Sequence, residues 1–173
     1  MIRQLLAERD IEDYRIIDPA RIPVEQWVRF RCMFGCPNYG KMGTCPPAVP
    51  SVAECRELIA GYQKAILFHV RLTVDDMYRD RLVAFDRKLL DLERAAFLAG
   101  YYKAFLLVCS DCSGCKTCTA QGCRVDCKNK SFARPSMEAV GIDVYQTARN
   151  AGYKIDVVNG NGETNRFALL LLE

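Results

Sequence analysis

The chain has 173 residues, of which 50% are hydrophobic and 26% charged, and a net charge of +3. That length suits one compact domain spanning 1–173 with a real core of its own, so its ten cysteines are not needed to replace a missing one. So mild a charge gives no reason to expect nucleic acid or an anionic membrane as a partner.

No run approaches the ~20 apolar residues of a membrane span. The N-terminus, MIRQLLAERDIEDYR, turns acidic at Glu8 and Asp10 and has no long apolar stretch, so it is not read as a secretory signal. The expectation is a cytoplasmic protein, where disulfides rarely persist and clustered cysteines read first as metal ligands.

In chain order, Arg15 to Ile17 reads as a short strand. Pro23 to Arg31 reads as a helix with Val24, Trp27 and Val28 on one face, followed by a loop rich in Gly, Pro and Asn from Cys32 to Pro50. Ser51-Val52-Ala53-Glu54 is a capping box, and Val52, Cys55, Ile59 and Tyr62 fall on one face of the helix it opens. AILFHVRL, 65–72, is a buried strand. The stripe Tyr78, Leu82, Phe85, Leu89, Leu92, Ala96 marks a long helix from Asp76 to Leu98, stopped by Gly100. KAFLLV, 103–108, is a second buried strand, and it delivers the chain to Cys109. Asp143 to Ala151 is a short helix with Val144, Thr147, Ala148 and Ala151 inward, and Gly152 caps it. YKIDVV and RFALLLLE read as two strands joined by Asn-Gly-Asn-Gly. The order predicts an α/β or α+β fold: one sheet of four to five strands with packed helices, and two cysteine-rich metal-binding loops at element ends.

The second loop, CSDCSGCKTCTAQGCRVDC, carries the strongest chemical signal. Cys112, Cys115 and Cys118 repeat every third residue, so three thiolates can converge on one centre while backbone amides turn toward the sulfurs. Such a run followed by a more distant cysteine is the ferredoxin-type pattern for a [4Fe–4S] cluster. Zinc sites more often use separated C-x2-C pairs or mix cysteine with histidine, and the one histidine here, His69, lies mid-strand. Spacing leaves Cys109, Cys123 and Cys127 competing for the fourth position. Lys116, Lys128 and Lys130 would offset the charge of an anionic cubane.

The first loop, Cys32-x3-Cys36-x8-Cys45-Pro-Pro, is a second constellation. Three thiols alone leave one iron open to a small molecule or a substrate atom, which would suit Lewis-acid or sulfur-carrier chemistry. The remaining candidates read as structure. Cys55 is a core cysteine, His69 a satisfied strand histidine, and Tyr101 and Tyr102 are packing residues. Asp143 is a helix cap, and Pro135 and Ser136 start a helix. The functional alternative puts Glu138 or Asp143 near a cluster as a proton donor or substrate contact.

EQWVRFRCMFGCPNYGKMGTCPP, GYYKAFLL and ARPSMEAVGIDV together resemble the cysteine-rich predicted metal-binding proteins grouped as domain of unknown function 2284, in order and in spacing. The resemblance implies ligation by Cys32, Cys36 and Cys45 in the first loop and by Cys112, Cys115 and Cys127 in the second. Cys118 is the natural addition, while Cys109 and Cys123 are departures from the family pattern. It implies metal binding and assigns no activity.

The expectation is therefore one or two [4Fe–4S] clusters with a redox or electron-transfer role and a redox partner protein. An enzyme or sulfur-transfer factor built on the open iron, and a structural zinc-binding interaction module, are the alternatives.

Overall fold

The structure is a computed structural model and describes residues 1–115, 117, 118, 120, 127–157 and 162–173. Cys123, Lys116, Arg124 and Gly160 lie outside the described residues.

The fold is α+β. Strands β1 (Tyr14–Ile17), β2 (Lys64–Thr73), β3 (Phe105–Leu107) and β4 (Glu163–Leu172) form one antiparallel sheet in the order β1-β2-β4-β3. β2 and β4 pair along ten residues, from Lys64↔Leu172 to Thr73↔Glu163. Helices α1 (Ile2–Ala7) and α4 (Tyr78–Leu98) cover one face of the sheet. Helices α3 (Val52–Ala60) and α5 (Val144–Asn150) cover the other, together with the single-turn helix Glu138–Val140.

Alternate residues of the central strands feed two cores. Ile66, Phe68, Ala168, Leu170 and Leu172 pack with Leu6, Leu82, Leu89 and Leu92, whereas Ala65, Leu67, Leu169 and Leu171 pack with Val52, Cys55, Ile59, Met137 and Ile142. Both faces being covered there, the paired stretches 65–68 and 167–172 are continuously apolar and show no period of two.

Several elements follow from local chemistry. Ser51 and Glu54 close the capping box of α3, with Glu54 N–H donating to Ser51 Oγ and Ser51 N–H to Glu54 Oε2. Asp143 caps α5 by accepting from Gln146 N–H. His69 has acceptors at both ring nitrogens, Asp13 Oδ2 at 2.6 Å and Asn165 Oδ1 at 2.8 Å. Burial alone would raise the Asp13 carboxyl, but hydrogen bonds from His69 and Tyr153 hold it below the ordinary range.

The structure corrects four readings. Helix α2 spans Gln26–Gly35, so Cys32 stands on a helix and not in a loop. Val28 is that helix's buried residue, while Trp27 (48% exposed), Phe30, Met33 and Phe34 face outward. Tyr102 is 66% exposed and packs against nothing that would bury it. Residues 153–157 form no strand, because Tyr153 lays its ring against His69 and Phe167 and donates to Asp13 Oδ1, and Ile155 enters the core. Those side chains pack on the sheet instead of extending it. Val158 lies outside the described residues.

The segment after the second cysteine run ties both cysteine loops to this frame. Arg134 reaches Glu93 on α4 with Nε at 2.9 and 3.0 Å and Nη2 at 2.7 Å, and Glu93 also accepts from Leu106 N–H on β3. Val108 N–H donates to Pro135 O at 3.0 Å, Glu25 N–H to Gly141 O at 2.7 Å and Asp143 N–H to Pro23 O at 3.0 Å. Gly141 has φ +87°, a conformation that L side chains rarely adopt, and a Cβ there would press on Val52 Cγ2 of α3 at 3.2 Å, so glycine is favoured at this position.

Glu93→Ala takes the carboxylate from the Arg134 guanidinium, which keeps the Ser131 and Ala133 carbonyls, and leaves the Leu106 amide without its acceptor. It is expected to lower stability by roughly 3 kcal/mol, read as a fall in the urea midpoint at unchanged slope.

Candidate metal centre

Helix α2 presents Cys32 in its last turns and releases the chain at Cys36, whose N–H donates to Cys32 O at 3.3 Å. The loop then folds on itself: Gly40 N–H donates to Pro46 O at 2.9 Å, Cys45 N–H to Met42 O at 3.1 Å and Ala48 N–H to Cys45 O at 2.9 Å. These bonds bring Cys45 back beside Cys32 and Cys36, close enough for the charges of those two to raise its thiol.

Burial comes first, followed by Cys36, Asp111 and Cys32, in pushing the Cys45 thiol up to about 12; the Thr44 hydroxyl pulls the other way. Cys32 is raised by burial and then by Cys36 and Glu138, with Arg29 opposing. Its Sγ lies 3.9 Å from Glu138 O. Glu138 keeps some surface, yet its carboxyl is enclosed, and burial raises it despite Arg166 nearby.

The second segment begins where β3 ends. Cys112, Cys115, Cys118 and Cys127 line one hollow, together with Gly114, Ala120, Asn129 and Met42 from the first loop. Burial raises the Cys112 thiol, the Gly114 amide opposes by hydrogen bonding its sulfur, and Cys127, Cys118 and Cys115 each push it up, which places all three nearby. Asn129 Nδ2 donates to Gly114 O at 3.1 Å and holds the turn between Cys112 and Cys115.

The two cysteine segments abut. Asp111, immediately before Cys112, accepts from Asn38 of the first loop at 3.2 Å and from Arg79 of α4 at 2.7 Å. Sequence reading missed Asn38, Arg79 and Asp111. Nothing in the spacing of such common polar residues marks them, because their role comes from two distant segments meeting.

Cys109 and Cys55 stand apart from both groups. Cys109 is 4% exposed, and its thiol and amide both donate to Asp86 Oδ1 at 3.3 Å. Burial and the Asp86 charge hold that thiol far above its usual range. Cys55 is 2% exposed in the α3 core, and its Sγ donates to Pro50 O at 3.6 Å.

No disulfide forms among the described residues, in which nine cysteines are free. Nor do any three His, Cys, Asp or Glu side chains among them gather closely enough to hold a metal ion as they stand. The four thiols of the second segment ring a hollow without closing on a point. The donor chemistry nonetheless fits a thiolate-bound metal: four sulfurs on one hollow and a backbone amide aimed at Cys112.

The Cys45 thiol gives a pH signature to the metal-free protein. Its folded value near 12 lies above its ordinary value of 9.0, so between those values the folded state keeps a proton that the unfolded state has lost. Stability of metal-free protein is therefore expected to fall as pH rises from 9 toward 12. Urea midpoints measured across that window should decline, and Cys45→Ser should flatten the decline.

The wider comparisons agree with the cysteine pattern. No curated protein and no solved structure matches the chain. A family model described as a predicted metal-binding protein, DUF2284, matches residues 15–172, a span that takes in both cysteine segments and the Arg134–Asp143 tie between them. The chain belongs to the DUF2284 family of predicted metal-binding proteins.

Proposed function

We propose that this is a cytoplasmic iron–sulfur protein with a redox or electron-transfer role. Cys112, Cys115, Cys118 and Cys127 would hold a [4Fe–4S] cluster, and Cys32, Cys36 and Cys45 a second metal centre. The observation that carries the reading is the hollow lined by those four cysteines, three of them at C-x2-C-x2-C spacing. Bound there, a cluster supplies one-electron transfer. The chain's own part is to place the sulfurs, turn the Gly114 amide onto Cys112 and pack Met42 and Ala120 against the hollow.

The abutment of the two segments through Asn38 and Asp111 supports an electron path between two centres and onward to a redox partner protein. No helix among the described residues is long and apolar enough to cross a membrane.

One observation favours a second reading. Among the described residues the first triad is given no fourth cysteine: the thiol of Cys55, the next along the chain, is committed to Pro50 O, and Cys36 is exposed. An iron held by three thiolates keeps an open position, which suits an enzyme or a sulfur-transfer factor.

Iron, labile sulfide and zinc are to be quantified on anaerobically purified protein, with low-temperature EPR after reduction. Iron and sulfide in near-equal amounts are expected, together with a reduced-cluster spectrum. Cys115→Ser should lose the iron of the second segment and its signal. Zinc without iron or sulfide would replace this reading with a structural zinc module, and an unchanged spectrum at unchanged iron content would remove Cys115 from the ligands.

A further inference from the structure

Helix α2 turns most of its large apolar side chains away from the protein. Val28 is buried, but Phe34 is 78% exposed, Phe30 55%, and Trp27 and Met33 half exposed. At about 100° per residue, Trp27, Phe30 and Phe34 share one stripe, on the side away from Val28 and Cys32. The Phe30 and Phe34 ring centroids lie 5.9 Å apart, so the stripe is continuous. Arg31 stands exposed on its border, one turn after Trp27. Helix formation does not ask for these residues, since aromatics are middling helix formers, and both cores close without them. Aromatic rings edged by arginine and methionine have the make-up of a protein–protein interface.

Charge indicates what covers the stripe. From Gln26 to Ala53 the chain holds Arg29, Arg31 and Lys41 and no Asp or Glu, so this stretch carries the whole net charge of +3 and the remainder balances, 21 basic against 21 acidic. Carboxylates that approach it from elsewhere are already committed: Asp111 is paired with Arg79, and the Glu138 carboxyl is enclosed. We propose that the Trp27–Phe30–Phe34 face of α2 docks an acidic partner protein, whose apolar centre meets the rings and whose carboxylates answer Arg31 and the charge of the adjoining loop. A second copy of this chain would set Arg31 against Arg31 across a two-fold axis. A membrane-surface helix keeps its basic residues on the polar face, whereas Arg31 borders the rings. Neither the stripe nor its charge depends on a metal, so the proposal stands apart from the iron–sulfur reading.

Random peptides displayed on phage are to be selected on the intact, anaerobically purified protein, and the enriched sequences synthesised. They are expected to combine Asp and Glu with Phe, Leu or Trp, and to shift the emission of Trp27, the chain's one tryptophan, toward the blue. Their affinity should fall as salt is added. Phe34→Ser and Arg31→Glu should each weaken binding by roughly tenfold, at unchanged metal content and urea midpoint. Both positions are exposed, and either variant carries the test if the other fails to fold.

Failure to enrich any peptide overturns the proposal. So do enriched peptides with no acidic excess, or with affinities that the folded variants leave intact. The same tryptophan checks the other occupants. A blue shift with phosphatidylglycerol vesicles or with oligothymidylate, and none with the peptides, gives the face to a membrane or to nucleic acid and overturns the docking of a protein. A dimer in sedimentation that Phe34→Ser dissolves gives it to a second copy, which also overturns the proposal. None of these outcomes touches the cluster reading, which iron and sulfide analysis decides.

Discussion

The stretch from Arg134 to Asp143 is the constraint on which the rest depends. It makes backbone bonds to two otherwise separate pieces of chain: Val108 just after β3, and the Pro23–Glu25 segment that leads into α2. Arg134 adds a charged anchor to Glu93 of α4. One cysteine segment leaves from β3 and the other from α2. This tie, together with the Asn38–Asp111 hydrogen bond, fixes where the two groups of thiols sit relative to each other. Gly141 makes the close approach to α3 and Glu25 feasible, which gives the glycine of A-x-G-I-D-V a physical reason.

The thiols are sorted by environment. Cys36 and Cys115 are exposed; Cys32, Cys45, Cys112, Cys118 and Cys127 are half-buried around the two loops; Cys55 and Cys109 are buried. Burial first, and then neighbouring thiols, raise Cys32, Cys45 and Cys112, so the metal-free loops hold protons at those sulfurs. A metal that loads such a site displaces protons, and its affinity rises with pH while the fold itself holds.

Much of this was legible in the residues. The capping box at Ser51, the stripe along α4 and the apolar runs of β2 and β4 announced themselves through local rules. Helix α1 did not, because six residues give less than two turns and no visible period. The alternation Tyr153, Ile155, Val157 looked like a strand, but the ring of Tyr153 found His69 and Asp13, and tertiary packing prevailed over local preference. At the site, spacing identified the three-residue repeat, and the family resemblance supplied Cys127. It could not show that Met42 of one loop lines the hollow of the other, since that contact spans seventy residues of chain and depends on the fold. Cys109 shared the rhythm of the repeat, yet the position of Asp86 on α4 took it out of the set.

The Cys109–Asp86 contact has a practical side. A thiol whose proton is held by a carboxylate in a dry pocket is deaf to alkylating reagents until that pocket opens. Cys109 and Cys55 therefore act as internal clocks for global opening, against which the faster labelling of Cys36 and Cys115 can be timed. A single mass-spectrometric time course would then separate loss of cargo from loss of fold, with no dye or tag added.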